Sequence, residues 1–324
     1  MGDEKMSKKY CFGVDIGGTT VKIGLFQTNG EIVDKWEIKT NTQNHGSAVL
    51  PDVVNSLEEK LKEHSIDKEQ VEGIGLGVPA PVNAEGVVQN TANLGWGYKE
   101  VKREMEELSG LPAEVGNDAN VAALGEMWLG AGKGQKDMIM VTLGTGVGGG
   151  VIVDGRPIVG SGGAGGEIGH ICVNYEEKDT CGCGKKGCLE QYASATGIAR
   201  LARIRLKKNE DSSVLRECEL EKITAKTVFD ALKEEDKVAE EIVEEFGTYL
   251  GYAMANLAAV TDPAVVVIGG GVSKAGDILL GYVEKHYQEE AFFANRHTKF
   301  ILAELGNDAG ICGSAKLVID KTGK

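Results

Sequence analysis

Polar and apolar positions alternate in short runs near the N-terminus and give way to longer helical repeats beyond it. Tyr10 to Ile16 is mostly apolar and ends in Gly17-Gly18-Thr19-Thr20. Val21 to Thr28 follows, then Asn29-Gly30, then Glu31 to Lys39. Asn-Gly between two such runs signals a hairpin, because both residues accept the backbone conformation that a tight turn between twisted strands demands. Val53, Leu57 and Leu61 recur at helical spacing, and Val71 to Val78, stopped by Pro79, predicts a buried strand. The opening pattern then returns. Met138 to Leu143 ends in Gly144-Thr145-Gly146, Gly148 to Val153 predicts a second strand, Asp154-Gly155 a turn, and Pro157-Ile158-Val159 a third strand. The two copies lie about 128 residues apart when Asp15 is aligned with Leu143. Such duplication predicts two similar α/β halves.

Asn117 and Asp118 precede a helical run carrying Val121, Leu124 and Trp128. Val238, Ile242, Phe246, Leu250, Ala253 and Leu257 mark a long helix closed by Asp262-Pro263. Ala264 to Ile268 predicts a buried strand ending in Gly269-Gly270-Gly271, and Leu305 to Gly310 begins a helix that returns to the first domain. Arg200 to Glu221 is densely charged and predicts a solvated helix and loop. No stretch reads as a disordered linker, so the halves are expected to meet at a tight hinge.

A chain of 324 residues, 42% of them hydrophobic, is long enough for about two domains. Its net charge of −14 disfavours nucleic acid and anionic membranes as partners. No apolar run approaches the roughly 20 residues that cross a bilayer, and the first ten residues lack the apolar core of a signal peptide. A cytoplasmic location is expected, and Met1 to Lys5 are set aside as an extension. The 46 glycines, about twice the usual share, gather in short loops where a backbone turns sharply or approaches a ligand.

The chemistry sits in those loops. Asp15-Ile16-Gly17-Gly18-Thr19-Thr20 puts a carboxylate at a strand end, followed by N–H groups unobstructed by side chains and two hydroxyls. Leu143-Gly144-Thr145-Gly146-Val147-Gly148 offers similar donors without the carboxylate. Neither is a Walker A loop, since no Gly-Lys-Ser/Thr follows. Either could be a plain hairpin; two at equivalent places in a duplicated fold favour a paired phosphate clamp. Asp118 reads as a helix N-cap, the commoner job for Asn-Asp before a helix, or as a base for a hydroxyl nucleophile. Gly269-Gly270-Gly271 reads as a strand-to-helix turn or as a close approach to a nucleoside. Of seven cysteines, Cys181, Cys183 and Cys188 fall within eight residues and follow His170. One imidazole and three thiolates form a closed tetrahedral set typical of structural zinc. Cys11, Cys172, Cys218, Cys312, His45, His64, His286 and His297 have no supporting motif, and Cys11 is expected in the core.

Taken together, Asp15-Ile16-Gly17-Gly18-Thr19-Thr20-Val21-Lys22, the second glycine turn and Gly269-Gly270-Gly271-Val272-Ser273 resemble the actin-like ATPase and hexokinase superfamily. Within it the chain resembles the ROK family of sugar kinases and repressors, and among these the glucokinases of Gram-positive bacteria, from about Tyr10 to Leu317. The resemblance implies two duplicated actin-like (ribonuclease H-like) domains around a central cleft. Residues 1–118 would form a small first domain completed by a C-terminal helix over 305–324, and 119–304 a large domain with the zinc insert. It implies ATP-dependent phosphorylation of the 6-hydroxyl of glucose, with Asp118 as general base. It assigns Gly77, Pro79, Asn93, Asn117, Asp118, Glu167, His170 and Glu190 to the sugar. Asp15, Gly17, Gly18, Thr19, Thr20, Lys22, Gly144, Thr145, Gly146, Gly269, Gly270 and Gly271 fall to MgATP, with Asp15 organising magnesium. It places structural zinc on His170, Cys181, Cys183 and Cys188, and implies a homodimer or homotetramer. The family more often carries glycine where this chain has Ala80. Kinases for N-acetylmannosamine, mannose or fructose share most of these motifs, and the resemblance leaves ATP and polyphosphate open as the donor. A sugar-responsive repressor would carry a DNA-binding segment ahead of the first strand, where this chain has nine residues.

Overall fold

The computed structural model describes residues 8–91 and 93–322, so Met1 to Lys5 and the last two residues of the expected C-terminal helix lie outside the described part. The chain divides into two compact units of nearly equal length. The first holds the chain through Gly134, Arg156–Gly166 and the stretch from Asn307; the second holds Gln135–Gly155 and Glu167–Gly306.

In the first unit, Tyr10–Ile16 (β1), Thr20–Gln27 (β2), Ile32–Lys39 (β3), Val71–Val78 (β4) and Ala113–Asn117 (β5) form a sheet in the order β3-β2-β1-β4-β5. β1, β2 and β3 pair antiparallel through tight turns; β1, β4 and β5 pair parallel. Parallel pairs need crossovers, supplied by Val49–Glu63 (α1) and Val101–Ser109 (α2). The predicted stripe Val53, Leu57 and Leu61 lies in one core with Phe12, Ile23, Ile74 and Leu76. The helix Ala309–Thr322 lies directly on the sheet backbone. A Cβ at Gly75 would collide with Ser314 O, so only glycine permits this approach.

Asp118–Leu129 (α3) corrects the expected division after Asp118. It belongs to the first unit, where it packs backbone to backbone along the C-terminal helix. A Cβ at Gly313 would collide with Val121 O, and one at Gly125 with Ala309 O. This contact joins helices far apart in the chain and leaves no mark on local periodicity.

The second sheet repeats the order of the first. Met138–Leu143 (β6), Val147–Val153 (β7), Arg156–Pro157 (β8), Val265–Gly269 (β9) and Lys299–Leu302 (β10) run β8-β7-β6-β9-β10. The third strand of this copy is only two residues long and ends before Ile158. The turn before it has positive φ at Asp154 (50°) and Gly155 (74°), as a tight hairpin requires. Glu190–Ala193 (α4), Ala195–Lys208 (α5), Ala225–Lys233 (α6), Lys237–Thr261 (α7) and Asp277–Glu290 (α8) complete the unit. The Arg200–Glu221 stretch is less solvated than its charge predicts, because α5 buries Leu201, Ala202 and Leu206 against the core. The long helix α7 closes at Asp262, left-handed at φ 45°, with Pro263 behind it. Cys11 lies in the core as expected, and so does Cys312. Among the described residues no helix is long and apolar enough to cross a membrane.

Candidate active site

In the first unit the parallel register sets Asp15 beside Gly77, and Gly77 beside Gly116. The ends of β1, β4 and β5 therefore emerge in a row, the edge at which α/β sheets carry ligands. Between β1 and β2 the glycine turn is held from inside and outside. Gly17 N–H donates to Thr20 O (3.0 Å), and Thr40 donates its hydroxyl to Gly17 O (2.7 Å) and its N–H to Thr19 O (2.9 Å). Gly18 and Thr19 stay exposed. Asn93 stands against this turn, with its Cβ 3.0 Å from where a Cβ at Gly18 would lie.

Asn117, not Asp118, caps α3. Its Oδ1 accepts the N–H groups of Ala119 (3.0 Å) and Asn120 (3.1 Å), and its Nδ2 donates to Ala80 O (3.3 Å), which ties the helix start to the loop after Pro79. Asp118 is the first helical residue, and its Oδ1 accepts Ala119 N–H at 2.8 Å. Burial pushes the Asp15 carboxyl up to about 6; the charge of Asp118 pushes the same way, and Lys22, its cross-strand neighbour, pulls it back. A carboxyl held protonated by burial and by a second carboxylate beside a glycine turn is one whose charged form a nearby cation would favour.

In the second unit the turn between β6 and β7 is closed by a shorter-range internal bond, Gly144 N–H to Gly146 O (3.0 Å), which spans two residues where the first spans three. Glu190 closes on it: Oε2 accepts Val147 N–H (3.0 Å), and a Cβ at Gly146 would collide with that oxygen. Gly169 seats the Ile168–His170 turn against β7, since a Cβ there would collide with Val147 O. Glu167 and His170 are thereby carried to the strand that leaves the glycine turn. At the end of β9, Gly270 has φ +86° and packs against Leu143, while Gly271 faces open space. Gly271 borders a cavity of about 360 Å³ whose lining includes Ala195, Phe229, Val272 and Lys274. Apolar walls with a few polar groups suit a planar base.

His170 Nδ1 lies 4.0 Å from Cys181 Sγ, and Cys183 Sγ lies 3.6 Å from Cys188 Sγ; all four donor atoms lie within 4.8 Å of one another. Zn–S bonds of about 2.3 Å at tetrahedral angles put ligand atoms about 3.8 Å apart, so the set fits zinc. Burial raises the Cys188 thiol to about 12, and a bound metal would displace that proton. Cys181 Sγ also lies 3.7 Å from Glu190 Oε1.

The ROK family matches residues 11–321. The chain belongs to the ROK family. It is 46% identical to a glucokinase of Halalkalibacterium halodurans over 97% of this chain and 96% of that protein. The structure of a ROK hexokinase from Thermus thermophilus superposes with a TM-score of 0.80 at 30% identity, covering 95% of this chain and 97% of that one. A ROK family glucokinase from Streptomyces griseus, solved in complex with glucose and AMPPNP, gives 0.71 at 32% identity, with coverage of 95% and 98%. The duplicated α/β fold expected from the sequence is therefore the fold of this ROK protein.

The residues that the ROK resemblance singles out fall into two local groups. Asp15, Gly17, Gly18, Thr19, Thr20, Lys22, Gly77, Pro79, Asn93, Asn117 and Asp118 belong to the first unit. Gly144, Thr145, Gly146, Glu167, His170, Cys181, Cys183, Cys188, Glu190, Gly269, Gly270 and Gly271 belong to the second. Sequence reasoning missed Thr40, Ala195 and Thr196, whose bonds hold the two glycine turns. The only trace of the last two was a serine at position 194 where a helix N-cap belongs.

Proposed function

We propose that this ROK protein transfers the γ-phosphoryl group of ATP to the 6-hydroxyl of glucose. The observation that carries the reading is Asp118: it stands at the start of α3 with the capping task taken by Asn117, and its charge reaches the half-buried Asp15 at the end of the glycine-turn strand. A sugar hydroxyl is a weak nucleophile at neutral pH. Asp118 orients it and accepts its proton as the phosphoryl group transfers, and positioning and electrostatics supply most of the catalysis.

In this reading Gly77, Pro79, Asn93 and Asn117 of the first unit and Glu167, His170 and Glu190 of the second hold sugar hydroxyls. The N–H groups of each glycine turn meet phosphate oxygens, and the cavity beside Gly271 takes the adenosine. Asp15 organises the magnesium that accompanies ATP. His170, Cys181, Cys183 and Cys188 would hold zinc, which stiffens the segment from Glu167 to Glu190; four protein ligands complete its shell and leave no position for a reacting oxygen. The protein works in the cytoplasm as a homodimer or homotetramer.

The test measures kcat/KM for glucose, mannose, fructose and N-acetylmannosamine with ATP and with polyphosphate. Glucose with ATP is expected to give the highest value, and a higher one for another pair overturns the specificity. In Asp118→Asn, turnover should fall by about 10²-fold or more while glucose still binds. Near-normal turnover removes Asp118 from the role of base.

A further inference from the structure

The second glycine turn has a glycine on each side of Thr145, so its backbone is permissive and contacts from neighbours help to set its conformation. Three bonds do this, and all come from the seven residues 190–196. Val147 N–H donates to Glu190 Oε2 (3.0 Å), Ala195 N–H donates to Gly144 O (2.8 Å), and Thr196 Oγ1 donates to Thr145 O (2.7 Å). The two helices meeting here are locked by Ser194, whose hydroxyl donates to Glu190 O (2.7 Å) and accepts Gly197 N–H (2.9 Å). The same segment is tied to the thiolate cluster. Cys188 N–H donates to Gln191 Oε1 (3.1 Å), and Gln191 N–H donates back to Cys188 O (2.9 Å). A continuous bonded run thus leads from the cluster to the turn.

We infer that the α4–α5 junction sets the geometry of the second glycine turn, with Thr196 as a positioning residue for the nucleotide and Cys188 linking the turn to the state of the thiolate cluster. The inference rests on the reading of that turn as a phosphate site. It adds a nucleotide arm to metal loading, which otherwise bears on the sugar through His170. Thr196 acts through the carbonyl of Thr145 and need not touch the nucleotide. It is exposed, so its substitution leaves the core intact.

The test is calorimetric titration of the zinc-loaded full chain with a non-hydrolysable ATP analogue plus magnesium, and separately with glucose, for wild type, Thr196→Val and Thr196→Ser. Loss of the Thr145 O bond, together with the 3.0 Å contact to Ser194 Oγ, corresponds to about a 3- to 10-fold weaker analogue affinity in the valine variant. Glucose affinity and zinc content should stay unchanged, and the serine variant, which keeps the hydroxyl, should stay within about twofold of wild type. Stripping zinc with a chelator should weaken analogue binding in wild type and cost the valine variant less, because both act through one segment. Valine binding like wild type, serine as weak as valine, or analogue affinity indifferent to zinc overturns the inference. Wild type that fails to bind the analogue at all overturns the phosphate-site reading with it.

Discussion

Replacing Asp15 with asparagine keeps the shape of the side chain and removes a charge that the fold opposes. Burial first, and the Asp118 charge second, raise the Asp15 carboxyl from 3.8 to about 6. At roughly 1.4 kcal/mol per pH unit, ionising Asp15 in the folded chain costs about 3 kcal/mol. The sign follows from proton linkage. Below pH 3.8 the group is protonated in both states and contributes nothing. Between 3.8 and 6 the unfolded chain releases the proton while the folded chain retains it, so stability falls as pH rises. Above 6 both forms are ionised and the loss is complete. An asparagine side chain does not titrate, so the variant has no such loss. Urea unfolding of the nucleotide-free protein at pH 5, 6, 7 and 8 should find Asp15→Asn more stable than wild type at pH 8, by about 2–3 kcal/mol, with the gap narrowing by pH 5. Magnesium with an ATP analogue should raise wild-type stability and leave the variant nearly unchanged. Its turnover should fall sharply, a stability–activity exchange common at functional sites. A gap that does not depend on pH, or a variant less stable at pH 8, would refute the reasoning.

Gly146→Ala drives a Cβ into Glu190 Oε2, so kcat/KM for ATP is expected to fall by at least about tenfold while circular dichroism still reports a folded chain. Removing zinc should release about one metal ion per chain and weaken glucose binding through His170; metal analysis beside glucose titration checks this, and unchanged glucose affinity refutes the coupling. Asn117→Ala deletes the cap on α3 and should cost about 1 kcal/mol, plus the anchor on Ala80 O, read as a lower urea midpoint.

The sequence by itself determined whatever is written in neighbouring residues. Apolar runs and turn chemistry placed the strand Tyr10–Ile16, and the strand Val265–Gly269 one residue early as Ala264 to Ile268, and helical spacing found Lys237–Thr261. The repeated strand–glycine turn–strand pattern disclosed the duplication that both sheets carry. The His170, Cys181, Cys183 and Cys188 set was legible because a short glycine-rich loop can hardly avoid bringing such ligands together. Tertiary structure decided what depends on contacts between distant residues. Asn117 rather than Asp118 became the cap through backbone geometry at the end of β5. α3 joined the first unit because glycines at 125 and 313 let two helix backbones touch. Glu190 reached Val147 across 43 residues, and Thr196 reached Thr145 across 51. Such bonds form only after the core has packed, since closing a long loop costs entropy that no local pattern repays. A side chain's neighbours across a fold are set by that packing, and the residues on either side of it in the chain do not encode them.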